Sequence, residues 1–142
     1  MSVLKPQPRV TEITRPFWQG CNEGRLVMQR CQDRKCGKTV FYPRVCCPHC
    51  HGADLAWVEV SRRGAIVSHT TIHRPHHDGF NAELPYVFAA IDIEGADGAL
   101  LYAQMRGAPT DGTSLVGRPV QVEFITHGPD RQIPVCRLVE QP

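Results

Sequence analysis

The sequence predicts a mainly β chain: a short N-terminal helix and a metal-clasped ribbon, then a five-stranded barrel of the OB type. Three observations predict it. Five of the seven cysteines crowd into residues 29–52, "QRCQDRKCGKTVFYPRVCCPHCHG". From Leu55 on, short apolar runs are separated by turn signals. Twelve glycines and twelve prolines in 142 residues favour strands and turns over long helices.

Residues 1–13 are proline-rich and aperiodic and read as an extended arm. "TRPFWQGCNEGR" reads as a short helix: Thr14 can cap it, Pro16 suits its first turn and Gly24 can end it. Phe17 and Cys21 share one face at i and i+4. Phe17 and Trp18 suit packing onto a neighbouring element, or an apolar anchor on a partner protein, where Trp is favoured. Arm and helix make a first segment, residues 1–24; the ribbon is a second, 25–54; the barrel is a third, 55–142.

Between the cysteine pairs, "KTVFYPR" is a short strand ending at Pro43. "LAWVEV" and "GAIVSHTTIH" can form one long strand bent near Gly64. "HRPHHDGFNAELP" is a loop. In "YVFAAIDIEG", Val87, Ala89, Ile91 and Ile93 alternate with Tyr86, Phe88 and Asp92. "EGADGAL" is a tight hairpin turn, with Gly95 and Gly98 suited to it, and "LLYAQMR" returns. "GAPTDGTSLVGRP" is a connection, and "VQVEFITH", "GPDRQ" and "IPVCRLVE" give a strand, a turn and the last strand. Five antiparallel strands with the longest link after the third match an OB-type barrel. A small β-sandwich uses the same strands.

Cys47-Pro48-His49-Cys50 is a C-x2-C knuckle, a turn that lets two sulfurs point at one ion. Cys31 and Cys36 make a wider C-x4-C pair, followed by Gly37 where a knuckle needs positive φ. Ten residues separate Cys36 from Cys47, enough for a strand out and back, so the two knuckles make a zinc ribbon. Four thiolates complete a tetrahedron. Cys47 is chosen over Cys46, because Cys46 gives C-x3-C and leaves the Pro48 turn unused; Cys46 is then a neighbouring thiol. His49 and His51 are substitutes that the sulfurs make unnecessary. The expected ligands are Cys31, Cys36, Cys47 and Cys50, around one zinc ion; iron suits the same sulfurs but is less favoured. The set has no open position, so the role is structural, holding a segment too small to bury its own core. Cys-Pro-His-Cys is also a disulfide-exchange pattern. That chemistry wants the first Cys at a helix N-terminus, and a proline-bounded strand precedes Cys47 instead.

His73, Arg74, His76 and His77 gather in "HRPHHDG", a solvated loop or one that meets a ligand or partner, with Arg74 available for a phosphate. Tyr86, Phe88, Tyr102 and Phe124 fall on strands as core or interface residues. Cys136 reads as a buried thiol. No G-x-S-x-G, H-E-x-x-H, P-loop or G-x-G-x-x-G occurs, and no catalytic residue is assigned. The formal charge of +2 argues against a dedicated nucleic-acid binder. No stretch approaches a membrane span and no apolar signal region opens the chain, so a cytoplasmic protein is expected, where clustered cysteines bind metal.

The order "EGRLVMQRC", "CPHC", "GAIVSHTTIH", "PYVFAAIDIEG", "LVGRPVQVEF" resembles the family that joins a rubredoxin-like zinc ribbon to an OB-fold, long labelled a domain of unknown function. The likeness runs from about Thr14 to Leu138. It implies a non-catalytic accessory subunit. Members typically accompany thiolase-fold enzymes, such as acyl-CoA thiolases, aldolases and C-acyltransferases acting on phloroglucinol-like acceptors, or acyl-CoA hydratases. They bridge or stabilise catalytic subunits that hold the reactive cysteine. The implied partner is a thiolase-fold subunit in a hetero-oligomer, close to an acyl-CoA or other acyl donor. The likeness places the ribbon ligands at Cys31, Cys36, Cys47 and Cys50. The family's first knuckle is usually C-x2-C, and the C-x4-C here departs from it. Two other classes compete. A zinc-ribbon and OB module for single-stranded nucleic acid would bind with steep salt dependence. A rubredoxin-like electron carrier would be a coloured iron protein.

Overall fold

Helix α1 (Arg15–Asn22) opens the regular structure of the computed structural model, which describes residues 4–139. Thr14 takes the N-cap position, but its side chain makes no capping bond. Its hydroxyl instead accepts the Thr11 N–H at 3.0 Å, while the Thr11 hydroxyl accepts the Thr14 N–H at 3.2 Å. Phe17 and Cys21 turn inward together, as their spacing requires, and are 3% and 1% exposed.

Strands β1 (Val27–Cys31), β2 (Thr39–Val40) and β3 (Leu55–Glu59) form an antiparallel sheet in the order β2-β1-β3. The other five form the barrel: β4 (Arg63–Ile72), β5 (Tyr86–Ile93), β6 (Leu100–Arg106), β7 (Pro119–Gly128) and β8 (Arg131–Leu138). They close in the order β4-β5-β6-β8-β7, with β7 returning to β4. That closure rules out the sandwich. A short 3₁₀ helix (Asp78–Glu83) lies in the β4–β5 loop.

Three elements differ from the sequence reading. Leu55–Glu59, grouped there with the barrel, does not run on into β4. It pairs along β1, from Cys31↔Leu55 to Val27↔Glu59, and carries Trp57 against the core from the ribbon side. The strand expected over "KTVFYPR" is only Thr39–Val40, because the chain then leaves the sheet to pack Phe41 on Phe17, ring centroids 5.3 Å apart. The barrel is not wholly antiparallel: β6 and β8 run parallel, Met105 beside Cys136. A ring with an odd number of strands must contain one parallel pair of neighbours.

β5 alternates as expected, with Val87, Ala89, Ile91 and Ile93 inward and Phe88 and Asp92 outward. Ile66, Leu101, Val120 and Val122 meet the inward set. Leu115, from the β6–β7 connection, is fully buried among them and donates its N–H to His69 Nε2 at 2.9 Å. Leu26 and Met28 flank this core from the ribbon, so one apolar cluster spans ribbon, helix and barrel. A polar tie reinforces it. Asp97, in the β5–β6 turn, accepts the Thr39 N–H at 2.9 Å and the Thr39 hydroxyl at 3.0 Å. These bonds hold its carboxyl below the usual range.

At Gly64, β4 and β5 approach so closely that a Cβ would collide with the Asp92 carbonyl oxygen. Gly64→Ala is expected to cost at least about 2 kcal/mol, read as a lowered melting temperature. Burial pushes the Cys21 and Cys136 thiols up to about 12. Both stay protonated and inert, so alkylation at about pH 8 is expected to spare them, as peptide mass mapping would show. Among the described residues, no helix is long and apolar enough to cross a membrane.

Candidate metal centre and aromatic groove

The first knuckle begins at the end of β1, where the Cys31 N–H bonds the Lys38 carbonyl at 2.9 Å. The longer C-x4-C spacing is absorbed by a turn on Asp33. Its carbonyl accepts the N–H groups of Cys36 and Gly37, each at 3.0 Å, and its side chain accepts the Lys35 N–H at 2.8 Å. Gly37 then reverses the chain at φ +64°, a conformation in which an L side chain is strained. In the second knuckle the His51 N–H bonds the Cys47 carbonyl and the Cys47 N–H bonds the Gly52 carbonyl, both at 2.8 Å. The His49 N–H reaches the Cys47 Sγ at 3.4 Å.

The two turns bring Cys31, Cys36, Cys47 and Cys50 together, with all four sulfurs within 4.8 Å of one another. Cys31 and Cys50 are 3.6 Å apart and Cys36 and Cys47 are 3.7 Å apart. A tetrahedron with metal–sulfur bonds of about 2.3 Å has edges of about 3.8 Å, so the spacing fits one ion. None of the four is disulfide-bonded. Cys46 lies outside the group. Four sulfurs so close compete for negative charge. Burial pushes Cys47 up, but the N–H groups of Cys50 and His49 and the Cys36 and Cys50 thiols bring it down to about 7. The Gly52 N–H draws Cys50 down, but the Cys31 thiol, burial and the remaining two thiols raise it to about 12. A cation among the sulfurs is what would let all four ionise. The disulfide-exchange alternative lacks its setting: Cys47 opens a turn and is 0% exposed.

The other residues singled out from sequence separate. Phe17 is buried, packed against Trp18 and Phe41 at centroid distances of 4.9 and 5.3 Å. Its inward phase on the helix, with Cys21, is the reason. Trp18 is half-buried and carries the Arg131 guanidinium over its ring, 5.8 Å from the centroid. In the histidine loop, His77 Nδ1 accepts the Gly79 N–H at 3.0 Å and caps the 3₁₀ helix. His73, Arg74 and His76 are exposed, and among the described residues they join no metal-holding group.

Sequence reasoning missed a groove of about 590 Å³ where helix, ribbon and barrel meet. Trp18, Phe41, Tyr42, Phe88 and Tyr102 line it, with the arm at Pro6–Pro8 as a further wall. Tyr42 and Tyr102 are 53% and 58% exposed and Phe88 is 39% exposed. The arm is clasped in place: Lys5 pairs with Glu83 at 2.7 Å, and Glu83 pairs with Arg106 at 2.9 Å. Gln7 Nε2 donates to the His127 carbonyl at 2.7 Å, and His127 Nε2 lies 2.9 Å from the Pro6 carbonyl.

Comparison with known proteins agrees with this architecture. A family model described as the ChsH2 rubredoxin-like zinc ribbon domain matches residues 18–56, and one described as the ChsH2 C-terminal OB-fold domain matches residues 57–124. A protein named probable enoyl-CoA hydratase alpha subunit, from Thermomonospora curvata, is 31% identical over 134 residues. That match takes in 94% of this chain, which spans only 40% of the relative's length. Among solved structures, a chain of the Ltp2-ChsH2(DUF35) aldolase superposes with a TM-score of 0.79 at 30% identity. The match covers 93% of this chain and 98% of that one. A DUF35 protein of unknown function from Sulfolobus solfataricus shares the fold, with a TM-score of 0.61 at 17% identity over 92% of this chain and 87% of that one. The chain therefore belongs to the DUF35 family of ChsH2-type proteins, a rubredoxin-like zinc ribbon followed by an OB-fold.

Proposed function

We propose that the chain is the non-catalytic accessory subunit of an acyl-CoA-related enzyme complex. The observation that carries this reading is the 98% coverage, at 30% identity, of a chain from the Ltp2-ChsH2(DUF35) aldolase, an enzyme named for two components. The hydratase subunit from Thermomonospora curvata supports the acyl-CoA setting. The partner is a thiolase-fold catalytic subunit in the cytoplasm, and the acyl donor lies near the shared face. In the ribbon, Cys31, Cys36, Cys47 and Cys50 hold zinc. Bound there, the ion cross-links the two knuckles and leaves no coordination position for substrate. The groove bearing Trp18, Tyr42, Phe88 and Tyr102 is the docking face, since half-exposed aromatics are the side chains that anchor interfaces.

The test is affinity purification of the tagged full chain from its native extract at moderate salt. Peptide and intact-complex mass spectrometry would follow. A thiolase-fold or other acyl-CoA enzyme in fixed stoichiometry is expected. Recovery of the chain alone, or with nucleic acid, sinks the accessory reading.

A further inference from the structure

Residues 41–46, between β2 and the second knuckle, have no regular secondary structure, yet they carry Phe41 and Tyr42 to the groove. Their downstream end is fixed at Cys47. Among the described residues, no backbone–backbone hydrogen bond reaches residues 42–46. One side chain holds their middle. Gln29, on β1 and 6% exposed, accepts the Arg44 N–H on Oε1 at 2.7 Å and donates from Nε2 to the Arg44 carbonyl at 2.8 Å. A buried amide that spends both ends on the backbone N–H and C=O of one residue does the work of a neighbouring strand. Gln29 and Cys31 are two residues apart on β1 and so lie on the same side of it. That side of one strand supplies a sulfur to the metal centre and the clamp to the aromatic segment.

We propose that Gln29 is the positioning residue through which the metal centre sets the ribbon wall of the aromatic groove. With Cys31 and Cys47 held on a common ion, β1 and the second knuckle keep a fixed separation. The Arg44 peptide then stays against Gln29, and Tyr42 stands on the groove. With the sulfurs released, the separation is free and the groove loses that wall. The docking face is thereby competent only in metal-loaded protein, a statement that rests on the accessory-subunit reading. The coupling itself needs no partner.

The test follows amide exchange at Arg44 by NMR in the labelled full chain, zinc-loaded and chelated, with the barrel amide of Ile91 as internal reference. In the loaded wild type, Arg44 is expected to exchange at least roughly tenfold more slowly than in the chelated protein. Gln29→Met should keep one metal per chain and lose that protection. Gln29→Glu, which replaces the donor with a second acceptor facing the Arg44 carbonyl, should fail to restore it. Wild-type protection in loaded Gln29→Met, or protection that survives chelation in the wild type, overturns the coupling. If Gln29→Met does not fold, the comparison of loaded and chelated wild type decides. Partner affinity, measured separately, keeps the two claims apart: lost protection with unchanged affinity overturns only the docking role of the groove.

Discussion

Cys47→Ser is expected to strip the chain of its metal and of its ribbon fold together. Cys47 is 0% exposed, its sulfur accepts the His49 N–H, and it stands 3.7 Å from the Cys36 sulfur. Serine keeps the turn but offers a poor ligand, so one of four bonds is lost along with the closed tetrahedron. Structural zinc sites of this kind supply about 10–16 kcal/mol of apparent binding free energy, far more than a three-stranded sheet of this size can gain from its own core. The loss should appear as a metal-to-protein ratio near zero and as a ribbon that exchanges its amides freely while the barrel amides stay protected. Cys46→Ser is the control and should keep the metal, since Cys46 lies outside the group of four. A fully loaded Cys47→Ser protein with a protected ribbon would show that the ligand set is wrong.

The second large effect is expected at the groove. Replacing Tyr42 and Tyr102 together by alanine should weaken the proposed complex with a catalytic partner roughly a thousandfold, since aromatic anchors are worth about 2 kcal/mol or more each. The fold should barely notice, because these side chains are 53% and 58% exposed in the chain alone. Titration calorimetry with the purified partner, beside a melting curve of each variant, separates binding from stability. Arg74→Ala, on the exposed histidine loop, should leave the affinity unchanged. If Arg74→Ala is the damaging change and the tyrosine pair is silent, the docking face lies on that loop instead.

The legible and illegible parts of this molecule divide by distance along the chain. The sulfur set was readable because its spacing is local: both knuckles and the strand between them fit inside 20 residues, Cys31 to Cys50. β5 was readable because period-2 alternation marks which side chains go inward. The partner of a strand leaves no such mark. Nothing in "LAWVEV" says that it pairs with β1 and not with the barrel, and only the odd strand count hints at the parallel β6–β8 pair. The Thr14 hydroxyl does not cap the helix because it takes the Thr11 N–H, three residues upstream, and that competition leaves no mark at Thr14 itself. The groove draws on the arm, helix α1, the ribbon, the 3₁₀ helix and four barrel strands, so no single window contains it. One signal was available: Phe88 shares the outward phase of Asp92 on β5, and an aromatic residue in a solvent-facing phase calls for a reason.

The arrangement of the ribbon also bears on the order in which the molecule assembles. Its three strands and all four sulfurs lie between Val27 and Glu59, while the barrel cannot close before β8 reaches β6 and β7. On the ribosome, N-terminal units fold first and long-range pairings wait for distant residues to emerge. The nascent chain can therefore capture its ion before the last strand has been made. Leu26 and Met28, buried in the finished protein, would stay uncovered until the barrel seats on them. A shortage of the metal would then act at that early stage, on unfinished chains whose ribbon is still uncovered.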